Sequence, residues 1–485
     1  MKRIVLINPN QMKPAVCPIA LDYLASFLHK KRHRVDILDL CFSPDYKKDI
    51  DSCFEEKELQ AIGISLRNTD DSCYSSSNFF LPRFKEIINY LRLKTDIPII
   101  LGGAGFSVMP EKIMEYLGVS LGIWGEGEAA LSALLDCLGD EGKYAEVPGL
   151  IYRRGERLVR NPSRFICPEE LGFSERLLVD NPRYFREGGM VGLETKRGCD
   201  KACIYCVDPR GKGRKVRVRP PRYVIEEIKR LIDQGVNYFH LCDSEFNLPE
   251  SHAEEVCREI IRHGLGEKIH WYTYASPHPF SRGLAFLMKK AGCAGIDFGV
   301  DSGNDQLLSR LGRDFTKHEI RATAQICHQM KLTFMYDLLL GGPDETRETI
   351  KETIELMQEV QPTCVGISLG IRIYPGTRLA DLVLREGPPE RNQNLKGKTR
   401  GNQNFFEPIF YHSSGLGERI EDFVEGLIDG NPSFFLLGGK KQEGNYNYNE
   451  NVLLVKAIKA GYRGAFWHIL RKIIDDQPQL LAKIE

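Results

Sequence analysis

The chain has 485 residues, which exceeds the size at which single hydrophobic cores stop growing and predicts about three domains. Its 66 basic residues equal its 66 acidic residues, so no net field favours a nucleic acid, a membrane surface or an acidic partner. Its 14 cysteines lack a disulfide-like spacing, and no signal-peptide pattern precedes them, so we predict a cytoplasmic location. No apolar run in the sequence is long enough to cross a bilayer.

Residues 1–140 alternate between short apolar runs and stretches with helical periodicity. The first predicted strand begins at Arg3 and ends at the turn formers Asn8, Pro9 and Asn10. A helix is predicted at 20–31, and further strands are predicted at 34–40, 61–66, 97–101 and 121–124. This β-α-β order predicts an α/β domain with a doubly wound, Rossmann-like sheet, whose ligand lies across the carboxyl ends of the strands.

The loops that follow these strands supply the candidate ligand contacts of this domain. They are Asn8, Asn10, Arg67, Asn68, Gly102, Gly103, Gly105, Gly125, Glu126 and Gly127. A nicotinamide site is an alternative interpretation, but these glycines do not follow the Gly-x-Gly-x-x-Gly pattern and they come after a late strand.

Residues 141–190 are predicted to form a connector that carries no catalytic or ligand-binding residues. Residues 148–160 have the pattern of a hairpin that turns at Arg154 and Gly155. Three later prolines indicate an irregular linker that leads into the next domain.

Three cysteines, Cys199, Cys203 and Cys206, are spaced so that one tight loop can hold three corners of a cubane iron–sulfur cluster. One iron is then left without a protein ligand and can bind a small molecule. Structural zinc is the alternative, but zinc requires four ligands, and no Cys-x-x-Cys or His pair elsewhere completes this set.

Residues 191–385 predict six β-α units, which indicate a partial (β/α)6 barrel of the TIM type. The predicted strands lie near 191–195, 238–242, 269–275, 295–300, 332–340 and 364–373. Catalytic groups of such barrels gather at the carboxyl ends of the strands. The candidates there are Asp243, Glu245, Asp301, Ser302 and Tyr374.

The cysteine spacing, with Tyr205 just before Cys206, resembles the cluster loop of the radical S-adenosylmethionine (SAM) enzymes. Together with the preceding domain, it resembles the cobalamin-dependent radical SAM enzymes over almost the whole chain. The resemblance implies a [4Fe–4S] cluster whose open iron chelates SAM, cobalamin bound to residues 1–140, and a low-potential electron donor such as ferredoxin or flavodoxin.

The resemblance also implies roles for the barrel residues. Asp243 and Glu245 correspond to the positions that usually contact the amino group of SAM, although Asp-Ser-Glu replaces the usual Gly-Gly-Glu. Asp301 and Ser302 correspond to the strand that usually offers a polar group near the ribose or methionine of SAM. Tyr205, Glu245 and Arg67 are the candidate catalytic residues.

One histidine pattern of many cobalamin proteins, Asp-x-His-x-x-Gly, is absent, since His29 and His33 before residue 150 have different surroundings. The run from Leu66 to Asp71 instead resembles the tryptophan 2-C-methylase branch, in which an arginine lies beneath cobalt. By that resemblance Arg67 takes this position, where a cation would favour cobalt(I). The alternative is an ordinary salt bridge at a strand end.

The implied activity is a C-methyltransferase that moves a methyl group from SAM through methylcobalamin to an unactivated carbon. A peptidyl glutamine of methyl-coenzyme M reductase is the preferred substrate, and tryptophan or another small molecule is the alternative. A non-methylating cobalamin radical SAM enzyme and a sensor without turnover stay open. The basic run from Arg210 to Arg219 could bind phosphates, so an RNA-modifying enzyme is a further alternative. Aromatic residues that would stack on bases are absent from this run.

Residues 386–485 predict a small, mostly helical C-terminal domain that caps the substrate opening. Residues 386–404 are polar and are predicted to be mobile. A helix is predicted at 451–474, after a polar, aromatic turn at 445–451.

Overall fold

The first sheet contains seven strands, all from the amino-terminal third of the chain. A computed structural model describes residues 2–55, 58–438, 445–446 and 450–476. The strands are β1 Arg3–Asn8, β2 Arg34–Asp39, β3 Ala61–Ser65, β4 Ile99–Gly102, β5 Leu121–Ile123, β6 Leu150–Arg154 and β7 Arg157–Arg160. Their order is β2-β1-β3-β4-β5-β6-β7, and β1 to β5 are parallel, which confirms the doubly wound fold.

Helices cover both faces of this sheet because alternate residues of each strand point to opposite sides. They are α1 Ile19–Lys30, α2 Tyr46–Glu55, α3 Leu81–Lys94, α4 Ala104–Val108, α5 Pro110–Leu117 and α6 Glu128–Cys137. On β1, Val5 and Ile7 are buried in the cluster that holds α3 and α5, whereas Ile4 and Leu6 are buried in the cluster that holds α1 and α6. A strand buried on both faces therefore has the continuous apolar sequence seen here.

The predicted hairpin exists, but it is part of the first sheet. Its strands β6 and β7 are antiparallel, and β6 pairs with β5. The sheet therefore continues to Arg160, beyond the predicted domain end at residue 140.

The second sheet is the barrel, and its strands come from the rest of the chain. This part supplies β8 Val191–Leu193, β9 Lys196–Arg197, β10 Arg217–Val218, β11 Tyr238–Leu241, β12 His270–Ala275, β13 Cys293–Asp301, β14 Phe334–Leu340, β15 Cys364–Leu369, β16 Ile371–Arg372, β17 Leu395–Gly397, β18 Ile409–Tyr411 and β19 Phe434–Leu436. The barrel order is β19-β15-β14-β13-β12-β11-β8, with every pair parallel. The six predicted strands are thus confirmed, and β19 adds a seventh at one edge.

The remaining helices surround the barrel and follow it. They are α7 Pro168–Leu171, α8 Asn181–Gly188, α9 Asp208–Lys212, α10 Pro221–Asp233, α11 Glu250–Arg262, α12 Arg282–Lys290, α13 Asp305–Leu311, α14 Lys317–Met330, α15 Arg347–Val360, α16 Arg378–Glu386, α17 Ile420–Ile428, α18 Val452–Lys459 and α19 Phe466–Asp475. Helix α14 begins with a capping box, in which the Glu319 carboxylate accepts from the Thr316 amide at 2.7 Å. Apolar strand residues such as Phe298 and Tyr336 pack outward against this helical layer.

The C-terminal part differs from the prediction in three ways. It contributes the three short strands β17 to β19 in addition to the predicted helices. The predicted helix at 451–474 is two helices, α18 and α19. Residues 386–404 include the buried Asn402, whose side-chain amide donates to the carbonyls of Lys398 and Glu407, so this predicted mobile segment is held by hydrogen bonds.

Helices α18 and α19 close one end of the barrel. Tyr272, Met335 and Cys364, which lie on the inward face of their strands, are buried with Leu454 and Trp467 of these helices. The closed end is therefore opposite the carboxyl ends of the strands. Part of the predicted turn at 445–451 lies outside the described residues, and Tyr446 of that turn is buried near the barrel interior. No helix in the described ranges is both long and apolar enough to span a membrane, and the cytoplasmic location stays a prediction.

Candidate functional site

A cavity of about 500 Å³ lies at the carboxyl ends of β1, β3, β4 and β5, where the strand order of the first sheet reverses. The predicted residues that line it are Arg67, Asn68, Gly102, Gly103, Gly105, Gly125, Glu126, Gly127 and Tyr374. It continues between the sheet and helices α1 and α6, along Leu24 and Leu131. The barrel forms its other wall, through Val207, Asp208 and Lys212.

Asn8 and Asn10 do not line this cavity, although both were predicted as contacts. The Asn8 amide nitrogen donates to Asp39 at 2.9 Å and to the Tyr184 hydroxyl at 3.1 Å. The Asn10 side-chain oxygen accepts from the amide of Met12 at 3.1 Å. These asparagines therefore shape the loop after β1 rather than contact a ligand.

Two glycines of the cavity hold the loop that carries Arg67. Gly103 has φ 104°, and a Cβ there would lie 2.9 Å from the Leu66 carbonyl carbon. A Cβ on Gly105 would lie 2.8 Å from the Asn68 backbone, and the Gly105 amide donates to the Leu66 carbonyl at 2.9 Å. The absence of side chains here lets the two loops touch and leaves an open cradle above them.

Arg67 lies at the boundary between the cavity and the barrel interior. Burial of His240 on β11 lowers its pKa to about 4, and the charges of Arg67 and Lys212 contribute to this decrease. The ring of His240 is therefore neutral near pH 7. Histidine is absent from the described residues that line the cavity, and His29 and His33 flank the loop before β2, at the other edge of the sheet.

The cysteine loop follows β9 and has the thiols grouped together. The amide of Cys199 donates to the Gly213 carbonyl at 3.1 Å, and the amide of Cys206 donates to the Cys203 carbonyl at 3.4 Å. Burial raises the pKa of Cys203 to about 11 and of Cys206 to about 12, and the neighbouring cysteines contribute to both shifts. Three thiols on one loop are the donor set that a cubane cluster needs.

A zinc site has less support from this geometry. Within the described ranges, no group of three or more His, Cys, Asp or Glu side chains is arranged to hold a single metal ion. Zinc collects its ligands around one point, whereas a cubane binds each thiolate at a separate corner.

Tyr205 is locked in a buried cluster with Asp301 and Arg313. Its hydroxyl donates to Asp301 Oδ2 at 2.6 Å, and Arg313 donates to both Asp301 oxygens at 2.6 and 2.9 Å. Ser302 lies apart from this cluster, because its hydroxyl is 3.3 Å from that of Thr353 on the outer helix α15. Tyr205 and Asp301 therefore support the cysteine loop, and Ser302 has a structural contact.

Asp243 and Glu245 have different surroundings although they are two residues apart. Asp243 is buried, and its Oδ1 accepts from the amides of Thr195 at 2.9 Å and Lys196 at 3.2 Å, so it shapes the turn that precedes the cysteines. Glu245 Oε2 is buried without a hydrogen-bond partner in the described chain. Burial raises the pKa of Glu245 to about 7 against the opposing charge of Arg313.

Two arginines fasten the cavity to the cysteine loop. Arg197 on β9 and Arg217 on β10 face each other in an antiparallel pair. Arg217 donates to both oxygens of Glu126 at 2.8 and 2.9 Å, and Arg197 pairs with Glu128 at 2.8 Å. We call these four residues the arginine clamp. Through it, the Gly125–Glu128 edge of the cavity and the strands flanking the cysteines form one unit.

A second connection runs through Asp70, next to the Arg67 loop. Asp70 Oδ2 pairs with Arg372 of β16 at 3.0 Å, with both side chains almost completely buried. The Tyr374 hydroxyl donates to Asp70 Oδ1 at 3.2 Å and lies 2.8 Å from the Ser72 hydroxyl. Tyr374 thus lines the cavity and also joins the two domains.

The basic run after the cysteines is largely used inside the protein. Arg210 donates to the Pro375 carbonyl, Lys212 pairs with Asp208, and Arg219 is buried against Glu227. With Arg217 held in the arginine clamp, few of these cations are available to phosphates. The structure therefore gives no support to the RNA alternative.

Comparisons with known proteins agree with this geometry. Residues 193–357 match the radical SAM superfamily, and residues 11–135 match the B12 binding domain. Over 96% of its length the chain is 28% identical to the tryptophan 2-C-methyltransferase of Streptomyces laurentii, of which it covers 95%.

The same relationship appears among solved structures. The radical SAM methyltransferase TsrM from Kitasatospora setae, with tryptophan and a SAM analogue bound, gives a TM-score of 0.90 at 28% identity, covering 99% of this chain and 100% of that one. A structure of TsrM with cobalamin and a [4Fe–4S] cluster bound gives 0.88 at 27% identity, with the same coverage. The chain belongs to the cobalamin-dependent radical SAM methyltransferases.

This membership settles the cofactors and the class of enzyme. The radical SAM domain uses a [4Fe–4S] cluster and SAM, and the Rossmann-like domain binds cobalamin. The nicotinamide alternative is therefore discarded. The preferred substrate, a glutamine of methyl-coenzyme M reductase, has no support from these relatives, whose names specify tryptophan.

Sequence reasoning missed the charged residues that join the two domains of this methyltransferase. Arg372 lies between two isoleucines, and a lone charge in an apolar strand was the available signal for a buried partner. Arg197 and Arg217 flank the cysteine loop, but their acidic partners lie about 70 to 90 residues earlier. No local pattern marks such distant pairs.

The Asp70–Arg372 pair should contribute strongly to stability. Replacing Arg372 by methionine leaves the Asp70 carboxylate buried without its cation, which typically costs about 3–5 kcal/mol. We expect a corresponding fall in the denaturant concentration at the unfolding midpoint, measured by fluorescence. Glu359→Gln, which breaks an exposed pair with Arg321, is the control and should change stability by about 1 kcal/mol or less. Equal effects of the two variants would contradict this role of Arg372.

Proposed function

We propose that the chain transfers a methyl group from SAM to a carbon of tryptophan or a closely related indole. The arginine clamp carries this proposal, because it places the cavity of the Rossmann-like domain and the cysteine loop of the barrel side by side. The full-length similarity to tryptophan methyltransferases supports tryptophan as the substrate.

In this proposal the three thiols hold the cluster and the cavity holds cobalamin. The thiols are those of Cys199, Cys203 and Cys206. When bound, cobalamin supplies a cobalt centre that accepts and donates methyl groups, and the open iron of the cluster binds SAM. Glu245, with a buried oxygen that lacks a partner, is placed to accept from the SAM amine. Arg67 lines the cavity wall, where its cation would favour the electron-rich state of a bound cobalt centre.

The other predicted residues position these groups. Asp243 fixes the turn before the cysteines through the amides of Thr195 and Lys196. The Lys196 ammonium donates to the carbonyl of Phe246 at 3.0 Å and also to those of Glu245 and Leu248, which orients the Glu245 segment. Helices α18 and α19 exclude water from the far end of the barrel. The required electron donor, such as ferredoxin or flavodoxin, stays a prediction.

The proposal is tested by mass spectrometry of anaerobic reactions that contain the reconstituted enzyme, tryptophan, a reductant and SAM with a deuterated methyl group. We expect methyltryptophan that carries the intact label, together with S-adenosylhomocysteine. A non-methylating enzyme would yield neither product, and a sensor would leave SAM unchanged. Labelled product from a glutamine peptide, without product from tryptophan, would contradict the proposed substrate.

A further inference from the structure

The barrel interior carries an uncompensated group of acids that the mechanism above does not use. Asp297 on β13 and Asp337 on β14 occupy inward positions, since their neighbours Phe298 and Tyr336 pack outward against the helices. Asp337 pairs in register with Gly299, so the two carboxylates are diagonal neighbours on adjacent strands. The interior has open space beside them, because Tyr274 of β12 is 46% exposed.

One of these carboxylates is buried without a partner. Asp297 is 8% exposed, and its Oδ1 has no hydrogen-bond partner in the described part of the chain. Asp337 Oδ1 accepts from the Tyr446 hydroxyl at 2.7 Å. Burial and the mutual repulsion of the two acids hold the pKa of Asp297 well above its usual value, and burial raises that of Asp337 to about 6. Such a site costs free energy unless a ligand completes it.

The nearby protein cations already have other partners. Arg313 donates to both oxygens of Asp301, and Lys196 donates to three backbone carbonyls. The imidazole of His240 is neutral near pH 7 because its pKa is about 4. Glu245 adds a further acid to this side of the barrel and raises the pKa of Asp297. The electrostatic balance therefore favours a cationic ligand next to Asp297 and Asp337.

Tyr446 completes one side of this position. A Cβ on Gly366 of β15 would lie 2.7 Å from the Tyr446 hydroxyl and 2.8 Å from Asp337 Oδ1. The glycine thus allows the tyrosine to reach the carboxylate across β15. With Oδ1 of Asp337 used by Tyr446, Oδ1 of Asp297 is left as a buried acceptor without a hydrogen bond from the described chain.

We propose that Asp297 and Asp337, with Tyr446, bind the protonated amino group of the substrate and thereby select an amino acid or amine over an indole that lacks an amino group. This inference rests on the proposed function. Asp297 precedes Asp301 by four residues on β13, so it lies deeper in the barrel than the contact of Asp301 with Tyr205 of the cysteine loop. An ammonium donates to carboxylates through strong, charge-assisted hydrogen bonds.

The test measures binding of three ligands to the reconstituted enzyme by calorimetry: tryptophan, tryptamine, which keeps the amine, and indole-3-propionate, which lacks it. Wild-type protein should bind the two amines at least tenfold more tightly than indole-3-propionate, the magnitude of a hydrogen bond to a charged group. Asp297→Asn and Asp337→Asn should abolish most of this preference and leave the affinity for indole-3-propionate unchanged. Glu355→Gln, on the exposed surface of α15, is the control.

The pH dependence supplies a second readout. Because protonation removes the charge of Asp337, affinity for tryptamine should fall as the pH decreases through about 6. Tyr446→Phe removes a hydrogen bond that lowers this pKa, so the fall should move to higher pH while the fold is kept. Unchanged pH profiles in this variant would overturn the inference.

Other outcomes separate this inference from the proposed function. Equal losses for all three ligands in the aspartate variants would indicate a structural role and overturn the inference alone. A loss of SAM affinity without substrate would assign the aspartates to SAM and have the same consequence. Failure of wild-type protein to bind any of the three indoles would contradict the proposed tryptophan substrate and the inference with it.

Discussion

Replacing Cys199, Cys203 and Cys206 together by alanine should remove essentially all iron from the reconstituted protein, which in wild type should hold about four irons and four sulfides per chain. The reason is that the thiolates are the protein's bonds to the cluster, and backbone hydrogen bonds of the loop cannot replace them. Methyl transfer to tryptophan should disappear in the same variant. Iron and sulfide assays after anaerobic gel filtration measure the first effect.

The control for this experiment is Cys167→Ala, an exposed cysteine outside the loop. It should keep the full iron content, since it lies on the connector between the domains. Retention of full iron by the triple variant would show that other residues bind the cluster and would remove the basis of the proposed function.

Arg67→Ala should bind cobalamin with nearly normal affinity but accept a methyl group from SAM about ten- to a hundredfold more slowly, the usual cost of losing an outer contact of a metal centre. The charge of Arg67 at the cavity wall would favour the electron-rich cobalt(I) state of bound cobalamin. Arg67→Lys should be milder, because it keeps the charge but changes reach and planarity. Absorption spectra give both cobalamin binding and the rate of methyl uptake.

The matched control is Arg34→Ala, an exposed arginine at the start of β2 in the same domain. This variant should change neither the affinity for cobalamin nor the rate of methyl uptake from SAM. Electron paramagnetic resonance of the cobalt(II) form should lack the splitting from an axial nitrogen, since the described cavity residues include no histidine. An unchanged rate of methyl uptake from SAM in Arg67→Ala would identify Arg67 as a structural arginine.

The outlines of the fold were predictable because apolar periodicity and turn residues are local signals. The strands of both sheets follow from continuous apolar runs such as Ile4–Ile7, which are buried on both faces. Strand β19 and the pairing of the hairpin with β5 were missed, because three-residue strands and edge pairings depend on distant partners. The break between α18 and α19 was also missed, since both segments share one apolar periodicity.

The candidate site was predictable only in part, for similar reasons. The spacing of the cysteines is itself the chemical signal, and in the structure the three thiols are near enough to influence one another's pKa. Asp243, by contrast, has the position of a ligand contact in sequence, but its Oδ1 accepts from two backbone amides and its Oδ2 accepts from the Thr195 hydroxyl. Whether a polar residue at a strand end faces a ligand or its own backbone depends on side-chain direction, which a linear pattern does not contain.

The closed floor formed by α18 and α19 has a consequence for the order of events during turnover. In the described part of the chain, Leu454, Trp467 and their neighbours fill the end of the barrel opposite the carboxyl ends of the strands, so we expect substrate, SAM and their products to enter and leave at the carboxyl ends. A ligand bound near Asp337 would then be unable to leave while SAM occupies the carboxyl ends of the strands. The ligand of the deeper site should therefore bind first and leave last. Excess SAM should then slow the exchange of substrate.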